Sequence, residues 1–137
     1  VSIAAKVVIA GVAEGRVLRL SQPISFWGGI DPATACVIDA RHPDRGTCIT
    51  GRVLCLPGMI GSSSASAVML ELLRARIAPV ALVLGETDAI LALGVVVGRE
   101  MGYPSIPVLE LARDVQATLP QDAPVRISED GAITRAT

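Results

Sequence analysis

A chain of 137 residues has the length of one ordinary domain with one core. Its 12 Lys and Arg against 13 Asp and Glu leave it nearly neutral, which removes the electrostatic footprint that a phosphate backbone or an anionic membrane would require. Hydrophobic residues make up 51%, yet Phe26, Trp27 and Tyr103 are the only aromatics, so base-stacking platforms are missing and the core must be aliphatic.

In chain order, residues 1–13 read as a β-branched strand, Glu14-Gly15 as a turn and residues 16–20 as the returning strand of a hairpin. Residues 21–51 are rich in Pro, Gly and Asp, with a short strand at 36–39 and the polar loop RHPDRG at 41–46. So long an irregular excursion is either functional or a packed Ω-like loop. Residues 52–56 form a compact apolar strand that stops at Pro57-Gly58. From 66 to 76, Val68, Leu72 and Ala75 recur at helical spacing, and Ala78-Pro79 ends that helix.

A second buried strand follows at 80–84, and then a helix from an N-cap at Thr87 or Asp88 to about Met101. Gly94 and Gly98 lie four apart on it, where another backbone can approach closely, and Gly102 stops it. A third strand at 106–109 precedes a closing hairpin, 123–127 and 132–135, around Asp130-Gly131. Strands and helices alternate from 52 to 109, which implies parallel pairing with right-handed crossovers. The expected fold is a mixed α/β single domain over 1–137 of β/β/α type, with hairpins from the two ends, as a small sheet or barrel, packed on a strand-helix layer.

The cysteines, Cys36, Cys48 and Cys55, are odd in number and contain no CxxC pair, so no disulfide framework is expected and all three read as structural. With His42 as the single histidine, the chain lacks ligands for a closed metal site. The longest uncharged apolar stretch, 89–98, is far below the roughly 20 residues of a membrane helix. Nothing at the N-terminus has the order of a signal peptide. A soluble, cytoplasmic protein is expected.

The stretch GSSSASA, residues 61–67, places four hydroxyls between apolar runs, where a strand gives way to a helix. A helix start leaves backbone N–H groups without partners and carries partial positive charge. Two readings stand side by side. One of Ser62, Ser63, Ser64 or Ser66 caps the helix and the others are solvated; or the loop holds a carboxylate or phosphate while one hydroxyl reacts. The GK[ST] ending of a P-loop and the GxSxG spacing of a nucleophile elbow are both missing.

The order ISFWGGIDPATACVIDARHPDRG, ITGRVLCLPGMIGSSSASAVMLELL, APVALVL, ILALGVVVG, SIPVLEL resembles the small subunit, or swivel domain, of the aconitase X family over nearly the whole chain. The resemblance implies a swivelling β/β/α domain that closes over a larger part carrying iron or an iron–sulfur centre. Together they would act as a hydro-lyase on cis-3-hydroxy-L-proline or, alternatively, on mevalonate 5-phosphate. It further implies that Ser62, directly after Gly61, is the catalytic base, with Gly61, Ser63, Ser64 and Ser66 contacting substrate. Dehydration needs a base beside a carboxylate and a Lewis acid to help hydroxide leave; this chain supplies the base, and the metal comes from the partner.

Ile60 stands where many relatives of this kind have a basic residue, which favours an uncharged or zwitterionic substrate over a phosphorylated one. Asp31, Asp39 and His42 are candidates for orienting substrate or loop, against the ordinary reading of such aspartates as turn formers. Swivelling domains also serve as phosphohistidine carriers, which makes His42 the centre of a second hypothesis, although Pro43 directly after it suits a structural turn. A non-catalytic subunit that caps a partner's pocket is a third. Trp27 is expected in the core or, with Arg41 and Arg45, against the partner.

Overall fold

The computed structural model describes residues 2–58, 64–86 and 88–136. Its centre is the expected alternating unit: β4 (Val53–Leu56), α2 (Ala65–Arg74), β5 (Ala81–Leu84), α3 (Ala89–Glu100) and β6 (Val108–Glu110). β3 (Ala13–Arg19), β4, β5 and β6 pair parallel in that order. β4 and β5, in the middle of the four, have both faces covered and are apolar at every position. The pleat sends Val17, Val53, Cys55, Ala81, Val83 and Leu109 into one core, and Leu18, Leu54, Leu56, Leu82, Leu84 and Val108 into another.

The second core is closed by α2 and α3. Val68, Met69, Leu72 and Leu73 of α2 and Leu91 and Val95 of α3 are buried, while Glu71 and Arg74 pair on the exposed side of α2. Asp88 caps α3 as expected, its Oδ1 accepting from the Leu91 N–H at 2.9 Å. A Cβ on Gly94 would lie 2.8 Å from the Ser66 carbonyl oxygen, so this glycine sets how closely the two helices approach.

The N-terminal hairpin does not form. Residues 1–13 divide into β1 (Ser2–Ala4) and β2 (Lys6–Ile9), and Glu14-Gly15 lies inside β3. Gly15 is small for a packing reason: a Cβ there would meet the Gly51 carbonyl at 2.9 Å and Val80 at 3.0 Å. Glu14 faces Arg126 across the sheet and pairs with it. The C-terminal hairpin does form, from β7 (Pro124–Ile127) and β8 (Ala132–Arg135), with Gly131 at φ +87°. Asp130 accepts from Ser128 Oγ at 2.6 Å and the Ala132 N–H at 3.2 Å, which holds its carboxyl below the ordinary value.

The strand order is β1-β8-β7-β3-β4-β5-β6-β2. β1 and β2 stand at opposite ends of this row, yet only Ala5 separates them in sequence. One nearly continuous strand therefore joins both edges, and the sheet closes into a barrel around the first core. A one-turn element unexpected from the sequence, α4 (Arg113–Gln116), leads from β6 toward β7. No described helix is long and apolar enough to cross a membrane.

The excursion over 21–51 is a packed loop. Its one-turn element α1 (Phe26–Gly29) is interrupted at Gly28, φ +79°, and Ile24, Phe26, Ile30, Val37 and Ile49 are buried in the helix-side core. The strand expected at 36–39 is reduced to two isolated bridges, Ile30 with Val37 and Cys36 with Cys48. The expectation of no disulfide is also corrected: Cys36 and Cys48 face each other across the second bridge and are joined. Cys55 is the odd one, buried and free inside the barrel.

Candidate active site

Parallel strands place their carboxyl ends along one rim, and loops leaving that rim are where such folds gather ligands. Here the rim consists of Arg19 to Gln22 after β3, Pro57-Gly58 after β4, Gly85-Glu86 after β5 and Leu111 after β6. Gly61, Ser62 and Ser63, the centre of the serine stretch, and Ile60 lie outside the described residues. Their flanks are described: Gly58 follows β4, and Ser64 occupies the N-cap position of α2, its carbonyl accepting from the Ala67 and Val68 N–H groups at 3.1 and 3.3 Å. Ser66, the second residue of α2, has its backbone packed closely against Gly94 of α3.

Beneath the rim, Gln116 is buried, and its Nε2 donates to the carbonyls of Leu56 and Leu111, each at 3.0 Å, with a longer contact to Val83 at 3.4 Å. It thereby ties the ends of β4 and β5 to the start of α4. Gly85 N–H donates to the same Leu56 carbonyl at 2.9 Å. The strand that leads into the serine stretch is thus anchored from two sides.

His42 is 6% exposed and has both ring nitrogens engaged: Nε2 donates to the Gln22 carbonyl at 3.0 Å, and Nδ1 accepts from the Asp44 N–H at 3.0 Å. Asp44 Oδ2 in turn accepts from Ser21 N–H at 2.8 Å and Ser21 Oγ at 2.9 Å. The RHPDRG loop therefore clamps Ser21 and Gln22 at the rim. Asp31 and Asp39 form turns: their Oδ1 atoms accept from the N–H groups of Ala33 and Arg41 at 2.9 and 3.0 Å. Trp27 is 61% exposed, so of its two expected places it takes the surface.

A cavity of about 450 Å³ opens at this rim, lined by Arg19, Ser21, Gln22, Pro57, Arg113 and Gln116 among others. Another, of about 320 Å³, lies at the opposite ends of the strands, by Glu14, Arg76 and Pro79. Arg19, Arg113 and Gln116 were missed by sequence reasoning. Arg19 sits in an ordinary strand, and the element that carries Arg113 and Gln116 is too short to leave a periodic signal. Among the described residues, no three of His, Cys, Asp and Glu come together as metal ligands.

A profile of the aconitase X swivel domain matches residues 2–135. The chain is 45% identical over 103 residues to the cis-3-hydroxy-L-proline dehydratase of Pseudomonas aeruginosa, covering 75% of this chain and 18% of that one. It thus spans less than a fifth of that relative's length. It is 34% identical over 125 residues to the phosphomevalonate dehydratase small subunit of Thermococcus kodakarensis, covering 90% of this chain and 94% of that one. The crystal structure of Thermococcus kodakaraensis aconitase X in its holo-form superposes with a TM-score of 0.87 at 32% identity, over 100% of this chain and 99% of the other.

Proposed function

This chain belongs to the aconitase X family as a swivel domain, and from that premise we propose that it is the small subunit or domain of a hydro-lyase that dehydrates cis-3-hydroxy-L-proline to pyrroline-2-carboxylate, with Ser62 as the base. The observation that carries this reading is the place of the serine stretch, bracketed by the carboxyl end of β4 and the N-cap of α2 at the rim. A serine hydroxyl is a very weak base unless its alkoxide is stabilised, and the start of a ten-residue helix supplies the oriented N–H groups and partial positive charge for that. Gly61, Ser63, Ser64 and Ser66 are assigned to substrate contacts.

The described residues do not fit an iron centre, and we assign the iron or iron–sulfur group to the larger part. Exposed Trp27, with Arg41 and Arg45, is assigned to the surface that meets it. The buried His42, with both ring nitrogens engaged, argues against the carrier reading, which needs an exposed ring. A cytoplasmic location is part of the proposal; a Cys36–Cys48 pair found fully oxidised in cells would count against it.

The test is Ser62→Ala in the enzyme assembled with its larger part. Turnover of cis-3-hydroxy-L-proline should fall by about a hundredfold to ten-thousandfold, while co-elution of the two parts on size exclusion stays unchanged. Undiminished turnover overturns the base assignment and leaves a capping role.

A second reading, the small subunit of a phosphomevalonate dehydratase, is supported by the match over 94% of the Thermococcus kodakarensis subunit. Faster dehydration of mevalonate 5-phosphate than of hydroxyproline by the assembled enzyme would decide for it.

A further inference from the structure

Among the described residues, three arginines sit in ion pairs: Arg52 with Asp122, Arg74 with Glu71 and Arg126 with Glu14. Arg19 and Arg113 are set apart by lining one cavity at the rim. Neither Arg19 nor Arg113 has a carboxylate partner among the described residues, and no acidic side chain appears in the described lining of the cavity between them. Arg19 Nε is moreover fully shielded from solvent with no hydrogen-bond acceptor. A buried donor without an acceptor costs about 1–3 kcal/mol, more for a charged group, and is retained where something else completes it.

The surroundings fix the backbone that carries this side chain. The Arg19 backbone is held at both polar groups by one residue, its N–H donating to Gln121 Oε1 at 2.7 Å and its carbonyl accepting from Gln121 Nε2 at 3.2 Å. Ser21 and Gln22, in the lining of the same cavity, are held by Asp44 and His42. Arg113, exposed at the start of α4, lines the same cavity, as does Gln116. Two cations, one with a desolvated donor, thus meet in a cavity of about 450 Å³ with Pro57 in its wall, one residue past β4.

We propose that Arg19 and Arg113 form an oxyanion subsite that takes the carboxylate or phosphate group of the substrate and orients it toward the end of β4. This rests on the hydro-lyase reading and deepens it: the cation sought in vain at Ile60 comes from β3 and α4 instead. Arg19 supplies a partly buried planar donor and Arg113 an exposed second charge, the pairing that suits bidentate recognition of a carboxylate or phosphate.

The test is a ¹⁵N–¹H NMR titration of the 137-residue chain, whose strands all pair within the chain, following the Arg19 Nε–H signal. The probes are L-proline and its carboxamide for the carboxylate arm, and inorganic phosphate for the phosphate arm. Saturable shifts with L-proline but not its carboxamide identify a carboxylate site; shifts with phosphate alone identify a phosphate site; either supports the proposal.

Arg113→Gln, on the surface, should weaken the binding by about tenfold. Arg19→Lys, which keeps the charge but lacks Nε, should weaken it to a similar degree, read from the backbone amide shifts of residues 19–22, with the backbone spectrum otherwise preserved. No shift of Arg19 Nε–H with either anion, or binding unchanged in both variants, overturns it. Ser62→Ala should leave this binding intact, so a failure of the base assignment and a failure of the subsite are told apart.

Discussion

Gln116 Nε2 donates to the Leu56 carbonyl at 3.0 Å, across 60 residues of sequence, and so joins the last turn before the C-terminal hairpin to the strand that enters the serine stretch. The same amide serves the Leu111 carbonyl at 3.0 Å. Replacing it by Gln116→Leu removes both bonds and leaves the Leu111 carbonyl without this donor, for an expected loss of about 1–3 kcal/mol in urea unfolding. Gln116→Glu should be worse at pH 7 than at pH 4. A buried carboxyl facing carbonyl oxygens has a raised folded-state pKa, so its stability is present below the unfolded value and lost as pH rises. Equal stability of both variants and the native chain at pH 7 would refute the anchoring role.

The His42 contacts predict a different outcome for that ring. His42→Ala empties a buried site and releases both Gln22 and Asp44, so the wall of the rim cavity loses its clamp. The expected cost is about 2–4 kcal/mol, read by thermal unfolding. Amide exchange should accelerate at Ser21, whose N–H depends on Asp44. A phosphohistidine carrier would instead lose its function with its stability intact.

How far the sequence revealed all this follows from what each pattern encodes. The runs at 52–56 and 80–84 and the helical spacing of Val68 and Leu72 are local, and they place β4, β5 and α2 within a residue or two. Asp88 and Gly102 announced the ends of α3 for the same reason. Gly15 misled because a glycine reports close approach as readily as a turn, and its neighbour, the Gly51 carbonyl, is 36 residues away. The Cys36–Cys48 bond escaped because counting three cysteines gives no geometry. Arg19 and Gln116 are legible only once the barrel closes, since their partners and their cavity are assembled from distant strands.

Gly94 and Gly98 look equivalent in sequence, but their surroundings differ. A Cβ at Gly94 would press on the Ser66 backbone at 2.8 Å and on Met69 Cβ at 3.1 Å, neither of which yields without moving α2. At Gly98 the nearest atom is the end of the Leu73 side chain, at 3.1 Å, a methyl that yields more readily than backbone. Gly94→Ala should therefore destabilise by about 1–3 kcal/mol. Gly98→Ala, with up to about 1 kcal/mol of helix propensity in its favour, should be near neutral. Chemical denaturation of the two single variants checks the contrast, and equal losses would mean that α2 and α3 pack less tightly than described.

Cys55 gives the fold a dependence on alkaline pH. Its thiol lies inside the barrel, and burial raises its pKa from the ordinary 9.0 to about 12, with the Arg19 charge pulling modestly the other way. The folded chain therefore holds this proton more tightly than the unfolded one. The stabilisation is fully present below pH 9 and is lost as pH rises from there toward 12. Over that window the unfolding free energy should fall with a slope of up to about 1.4 kcal/mol per pH unit from this group. Cys55→Ala, although less stable at neutral pH for want of packing, should lack that contribution, so the two stability curves converge as pH rises. In the native chain the thiol should resist alkylation by iodoacetamide at pH 8 and react only after unfolding. Rapid labelling of the folded chain, or parallel stability curves for the two proteins between pH 9 and 11, would place Cys55 in contact with solvent instead of inside the barrel.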